Sequence, residues 1–420
     1  MSTVQSRSRA RARTPQQRRR RRLSWTLLGI AAALLLLALL EVVTGADDLT
    51  SSGTVSATLI ATVPIALAGL GGLWSERAGV VNIGLEGMMI LGTYGAGIFG
   101  YHFGPWAGVL GALALGAVGG LVHATATVVF GVDHIISGVA VNIIALGAVQ
   151  YLAGLTFTGL PGGGQTQSPK LGDVGSVSIG PLSDAFGDLE RSDLFLVSEI
   201  AAILRALVTD LSFLVLLALL FMVLTYVVLW RTAFGLRLRS CGESPAAAES
   251  LGVNVYRYKF IAVLTSGALA GLAGGFLALV ASSNFRDGQT GGRGYIGLAA
   301  MIFGNWRPGG LLMGSGLFGY TETLGLRQGG TSVHALLLAV TLLLLAYAGW
   351  QWRQAQRTAA AVSAVVALGI AAVYFATDVV PGDFSQMTPY VVTLLVLAFA
   401  SQRLRMPAAD GQRYRKGSAG

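Results

Sequence analysis

Glu86 is a carboxylate within a small and apolar stretch, Gly79-Val80-Val81-Asn82-Ile83-Gly84-Leu85-Glu86-Gly87-Met88-Met89. Such a charge needs a partner or water, and in a lipid-embedded chain it marks by default a pathway for a solute, an ion or a proton. Asn82, four residues earlier, shares its helical face. Asn142, in Ser137-Gly138-Val139-Ala140-Val141-Asn142, and Asn305, in Asn305-Trp306-Arg307-Pro308-Gly309-Gly310, are two more polar groups able to hydrogen-bond a solute. These four residues are the candidate translocation path. Structural roles compete with that reading: Glu86 can pair with Arg77 or cap backbone amides at a helix break, and each asparagine can act as interhelical glue.

Bond-making chemistry has few residues to run on. The single cysteine, Cys241, excludes an internal disulfide and a cysteine-based metal cluster. His102, His123, His134 and His334 lie on separate segments without metal-ligand spacing. Of the three lysines, Lys170, Lys259 and Lys416, none follows a glycine, so there is no Walker A loop. The reading is no metal, no cofactor and no ATP hydrolysis by this chain, and a membrane enzyme lacks support.

A second constellation is mechanical. In Phe234-Gly235-Leu236-Arg237-Leu238-Arg239-Ser240-Cys241-Gly242-Glu243-Ser244-Pro245-Ala246-Ala247-Ala248-Glu249-Ser250-Leu251-Gly252-Val253, Gly242 is expected to permit a tight turn. Ser244 then caps a short helix that opens on Pro245, runs through Ala246 to Leu251 and stops at Gly252. A short, small-faced helix in a basic loop suits docking into a groove on a partner; an ordinary interhelical loop is the plainer alternative.

The elements that position these residues follow from composition. The 420 residues are 53% hydrophobic and only 12% charged, with 58 glycines, and the mean hydropathy is +0.65. A soluble domain carries about 25% charged residues, so the chain is a polytopic membrane protein, an all-α bundle of about ten to twelve crossings. Apolar segments fall at 25–44, 54–73, 79–103, 105–130, 134–158, 211–231, 258–282, 294–326, 333–350, 358–377 and 387–402. The 294–326 segment is interrupted at 305–310, where proline and glycine break the helix. Such a break must be buried in protein or line a water path.

The net charge of +9 equals the nine arginines between positions 7 and 22, a stretch without acidic residues. An arginine run directly before an apolar segment reads as a cytoplasmic flank at anionic headgroups rather than a nucleic-acid arm. Arginine and lysine also mark 231–259, 353–357 and 403–416 as cytoplasmic. The 159–210 loop holds three basic residues against seven acidic ones and belongs outside. Both termini are therefore expected in the cytoplasm, with an even number of crossings if the broken segment crosses twice.

Ala66-Leu67-Ala68-Gly69-Leu70 recurs as Ala268-Leu269-Ala270-Gly271-Leu272, and Ile83-Gly84-Leu85 with Met88 recurs as Ile296-Gly297-Leu298 with Met301. The order and spacing point to an internal repeat, a common plan for transporters. Gly116 with Gly120, and Gly267 with Gly271 and Gly275, form small-residue faces for close helix packing.

Gly242-Glu243-Ser244-Pro245-Ala246-Ala247 with Gly252-Val253 resembles the coupling loop of permease subunits in ABC importers for ribose, branched-chain amino acids and nucleosides. Ser75-Glu76-Arg77-Ala78-Gly79-Val80-Val81-Asn82-Ile83-Gly84-Leu85-Glu86-Gly87-Met88 is similar to the smaller of two permeases in nucleoside and simple-sugar importers served by basic-membrane-protein lipoproteins. Ser137 to Asn142, and Ala299-Ala300-Met301-Ile302-Phe303-Gly304-Asn305-Trp306, match the same pattern, and the resemblance covers about 54–330 and 387–402. It implies that Gly242 to Val253 receives the stroke of a cytoplasmic ABC ATPase. It also implies a second permease, as a heterodimer, and an extracytoplasmic solute-binding lipoprotein as partners.

The organisation expected is a basic tail at 1–23, an added first helix at 24–44, a permease core at 54–330 with an outer loop at 159–210 and a coupling loop at 232–257, an inserted hairpin at 333–377, a last helix at 387–402 and a cytoplasmic tail at 403–420. The function expected is translocation of a nucleoside or simple sugar across a prokaryotic cytoplasmic membrane, in contact with lipid and without nucleic acid. The alternatives are amino-acid cargo within the same class and a proton-coupled secondary transporter using Glu86.

Overall fold

Short polar residues stand directly before the apolar runs and start them as helices. Ser51 accepts from the amide of Thr54, Asp133 from those of Ile135 and Ile136, Ser212 from Leu214, Thr232 from Gly235 and Asn254 from Arg257. Pro105, Pro245 and Pro308 open helices, where an N–H would be unpaired anyway. The computed structural model describes residues 29, 31–32, 34–46, 48–192, 194–327, 330–381, 384, 387, 388, 391 and 404–417.

In chain order the helices are α1 (Leu34–Thr44), α2 (Ser52–Arg77), α3 (Leu85–Phe103), α4 (Pro105–Ala124), α5 (His134–Phe157), α6 (Gly180–Glu190), α7 (Val197–Ala206), α8 (Phe213–Arg231), α9 (Ala233–Glu243), α10 (Pro245–Ser250), α11 (Val255–Phe276), α12 (Arg293–Phe303), α13 (Pro308–Arg327), α14 (Gly330–Arg353) and α15 (Arg357–Ala376). Wider π-helical turns, Thr125–Val129 and Leu277–Ala281, extend α4 and α11.

The all-α bundle is the expected one. Among the described residues, α2, α4, α5, α8, α11, α14 and α15 are the seven helices long and apolar enough to cross a membrane. α3 lies outside this set because Glu86, His102 and its glycines dilute it. At 11 residues α12 is too short for the ~30 Å hydrocarbon layer. The 1–23 tail and, apart from 387, 388 and 391, the expected last helix at 387–402 lie outside the described residues.

The segment from 294 to 326 divides where its sequence breaks. α12 ends at Phe303, Asn305 and Trp306 take φ of 55° and 51°, and Pro308 opens α13. A second break was not anticipated: residues 78–84 are non-helical between α2 and α3, so the expected apolar segment at 79–103 begins as a loop.

The helices meet through glycine. Gly116 and Gly120 of α4 lie on Gly267 and Gly271 of α11, so the two small-residue faces legible in the sequence mesh with each other. A Cβ on Gly120 would stand 2.8 Å from the Val263 carbonyl oxygen, and one on Gly116 or Gly271 would strike the opposite backbone harder. Beside the 159–210 loop, β1 (Ser176–Val177) pairs antiparallel with β2 (Leu211–Ser212). Glu190 of α6 takes Arg205 of α7 at 2.8 Å and the Ser52 amide at 3.0 Å, tying this loop to the start of α2. α14 and α15 pack chiefly on each other.

Candidate translocation and coupling sites

Non-helical backbone beside a membrane must find hydrogen-bond partners inside the protein. For residues 78–84 many of them come from α4, α5 and α11. His123 of α4 meets the Val81 carbonyl through Nε2 at 3.0 Å, while its Nδ1 lies 2.8 Å from the Ser137 hydroxyl. The carbonyl can only accept, so Nε2 carries a proton and donates to Val81. His134 Nδ1 accepts the Val81 amide at 3.3 Å, Asn142 Nδ2 donates to the Ile83 carbonyl at 3.0 Å, and Lys259 Nζ donates to the Gly79 carbonyl at 3.2 Å. Asn82, wholly buried, accepts the Gly84 amide at 3.0 Å and donates to the Ser266 hydroxyl at 2.9 Å.

Three of the four path candidates come together here. Glu86 caps α12: Oε1 accepts the Gly292 amide at 2.9 Å and Oε2 the Gly294 amide at 2.7 Å. A carboxylate at a helix N-terminus is also favoured by the aligned peptide dipoles. Glu86 thus takes the amide-capping role, and Arg77 is not its partner. Asn142 Oδ1 accepts the Gly87 amide at 2.7 Å, and its Nδ2 also donates to the Tyr295 hydroxyl at 2.9 Å. Asn142 is partly exposed and Tyr295 is exposed, so this pair is the polar edge of the cluster.

Asn305 belongs elsewhere. It lies past the far end of α12, where its Oδ1 accepts the Arg405 amide at 2.8 Å. The adjoining Trp306 carbonyl receives Arg77 Nε at 3.0 Å and Nη2 at 2.6 Å, and the Trp306 indole donates to Glu76 at 2.5 Å. Arg77 also faces Glu243 of α9 at 3.9 Å and covers the Trp230 ring at 5.4 Å. One guanidinium therefore ties the end of α2 to α8, α9 and the turn before α13.

The 232–257 segment folds as two short helices. Gly242 is not a turn residue: it is helical in α9, and its missing side chain allows contact with the Arg77 carbonyl and with Gly79. Ser244 is the N-cap of α10 through its backbone, without a side-chain hydrogen bond, and Pro245 follows at the first position. Gly252 stops the helix at φ 79°, its amide donating to the Glu249 carbonyl at 2.8 Å and that of Val253 to the Ala248 carbonyl at 3.0 Å. Ser244, Ala247, Ser250 and Leu251 face outward, and Leu251 is 84% exposed. Burial pushes the Cys241 thiol up to about 11, so it stays a protonated packing group.

Local sequence gives no role to Tyr295 or to the contacts of 404–417, and offers Arg77 only as a partner for Glu86. Arg77 and Tyr295 act across 229 and 153 residues respectively, which no local spacing reveals. The tail had a signal in Asp410 and Tyr414, an acid and an aromatic in an otherwise basic stretch.

Residues 54–346 match the family described as branched-chain amino acid transport system / permease component. The guanosine ABC transporter permease protein NupQ of Bacillus subtilis is 32% identical over 86% of this chain and 96% of its own length. The nucleoside ABC transporter permease protein NupC of Lactococcus lactis is 33% identical over 85% and 95%, respectively. The putative glucose ABC transporter permease protein TsgC13 of Haloferax volcanii is 33% identical over 67% and 80%. No solved structure matches. The chain belongs to this permease family and is a multi-pass, non-enzymatic membrane subunit of an ABC transporter.

Proposed function

We propose that the chain carries nucleosides inward across a prokaryotic cytoplasmic membrane, powered by a separate ATPase subunit. The observation that carries this cargo is the likeness, over 85–86% of the chain, to permeases whose names specify guanosine and nucleosides. Simple sugars are the second cargo class, favoured by the glucose-permease relative.

α10 is the docking element for the ATPase. Its short, small-faced outer surface at Ala247, Ser250 and Leu251 fits a groove, and Arg77 joins its neighbour α9 to α2 and to the turn before α13. The solute passes Asn142 and Tyr295, while Asn82 and Glu86 shape the bordering backbone and Asn305 serves the cytoplasmic turn. A similar permease forms the other half of the route, and an extracytoplasmic lipoprotein delivers the solute. α1, α3, the broken α12–α13 segment counted as two passages, and the expected helix at 387–402, which lies largely outside the described residues, add five to the seven spans, twelve crossings in all, with both termini in the cytoplasm. The proposed organisation keeps the 54–330 core, with α1 and the α14–α15 hairpin as additions, and the motif correspondences stand for a duplication.

The test is uptake of labelled guanosine, adenosine, glucose and leucine in cells lacking and re-expressing the chain. Nucleoside uptake should return and should stop on ATP depletion. Restoration of leucine uptake alone would replace the cargo, and uptake that survives ATP depletion but collapses with an uncoupler would replace the mechanism.

A further inference from the structure

We propose that residues 404–417 form a strap that positions α10 against the transmembrane core, with Asp410 as its buried pin and Tyr414 as its clasp. The inference rests on the reading of α10 as the ATPase-docking element. On the core side, the Arg405 amide donates to Asn305 and Gly411 lies against Val81 in the 78–84 break. Asp410, 8% exposed, sets its carboxyl against that of Glu76 at the end of α2. On the loop side, the Ala409 amide donates to the Gly242 carbonyl at 2.9 Å, and the Ala408 amide to Glu243 Oε2 at 3.3 Å. The Tyr414 hydroxyl donates to Glu249 Oε2 at 2.6 Å, with its ring 5.3 Å from that of Tyr256.

The segment is tied to both parts that it would join. The approach depends on two glycines, since a Cβ on Gly79 would stand 3.1 Å from both the Ala409 carbonyl oxygen and the Gly242 Cα. A basic tail left to solvent has no reason to turn its aspartate inward, because a buried carboxyl needs partners that water would otherwise supply. α10 has six residues, too few to hold a direction by its own hydrogen bonds. Glu249, held by Tyr414, fixes the rotation of that one turn and so the aim of Ala247, Ser250 and Leu251. Tyr414 and Asp410 are therefore positioning residues that act through α10.

The test uses the full chain in membranes with its ATPase, in the variants Tyr414→Phe, Asp410→Lys, Asp410→Asn and, beside them, Ala247→Asp. Amide hydrogen exchange at Ala248 and 251–253 reads the strap directly, and solute uptake reads its use. Tyr414→Phe and Asp410→Lys should speed exchange there by about tenfold, the scale of losing one charge-assisted hydrogen bond. They should lower uptake capacity about threefold to tenfold with the apparent KM for solute unchanged. Asp410→Asn, which can still share a hydrogen with Glu76, should stay near the parent. Unchanged exchange in both disruptive variants would overturn the strap. Faster exchange with parental uptake, while Ala247→Asp abolishes transport, would overturn its role in coupling. Normal transport by Ala247→Asp would remove the docking reading, and with it the strap's transport role, while exchange still decides whether the tail holds the helix.

Discussion

Glu86 and Gly294 are joined side chain to backbone: Oε2 of the one accepts the amide of the other at 2.7 Å, fixing the start of α12 onto the start of α3. Glu86→Ala leaves the Gly292 and Gly294 amides without their acceptor, at a cost of about 3 kcal/mol. The variant should melt earlier in detergent and lose uptake in proportion. Glu86→Gln keeps an acceptor and should fall between, with a pH profile of uptake parallel to the parent's. A shifted profile at parental stability would instead make Glu86 a proton carrier.

The α4–α11 seam tests the packing. Gly271→Val puts side-chain carbons where the Ala112 carbonyl stands, whereas Gly147 on α5 has nothing within 4 Å of its would-be Cβ. Gly271→Val should cost more than about 2 kcal/mol and deplete the protein from the membrane, and Gly147→Val should be within about 0.5 kcal/mol of the parent. Equal membrane abundance of the two would sink the assignment.

Tyr295 tests the route. Tyr295→Ala removes both ring and hydroxyl from the exposed edge of the cluster, and Tyr295→Phe removes only the hydrogen-bonding partner of Asn142. The first should raise the apparent KM for solute at least tenfold and the second about threefold, on the scale of one neutral hydrogen bond. A KM unmoved by either change would take the route elsewhere.

The tail carries a pH signature. Burial pushes Asp410 from its ordinary 3.8 up to about 7, against the opposing pull of the Glu76 hydrogen bond, Lys259, the Gly411 amide and Arg77. Because docked Asp410 binds its proton more tightly than free Asp410, docking is strongest below pH 4 and weakens as pH rises towards 7, with little further change above. Exchange across 404–417, corrected for the intrinsic pH dependence of amide chemistry, should therefore show better protection at pH 5.5 than at 7.5. Asp410→Asn should flatten the difference, and an unchanged difference in that variant would assign it to another group.

Much of the fold was legible because lipid imposes simple demands. Apolar runs became helices, Pro308 and its neighbours marked a break, and glycines four apart marked the seam. The break at 78–84 was hidden because Val80, Val81 and Ile83 read as lipid-facing helix, while the residues that satisfy its backbone, His123, His134, Asn142 and Lys259, are scattered over 137 positions. For the site, polarity in an apolar stretch singled out Asn82, Glu86 and Asn142, and the fold brings these three together. It did not separate the buried Asn82 and Glu86 from the partly exposed Asn142, since exposure is a property of the packed bundle. Asn305 shared their chemistry but not their place.

The glycine seam also limits how this molecule can move. With carbonyl against α-carbon along α4 and α11, neither helix can creep past the other, because each meshed glycine would first have to climb out of its notch. Sliding would come only in whole-turn jumps of about 5.4 Å. The pair is better suited to turn as one solid lever, leaving deformation to breaks such as 78–84 and 304–307, where helix gives way to bare backbone.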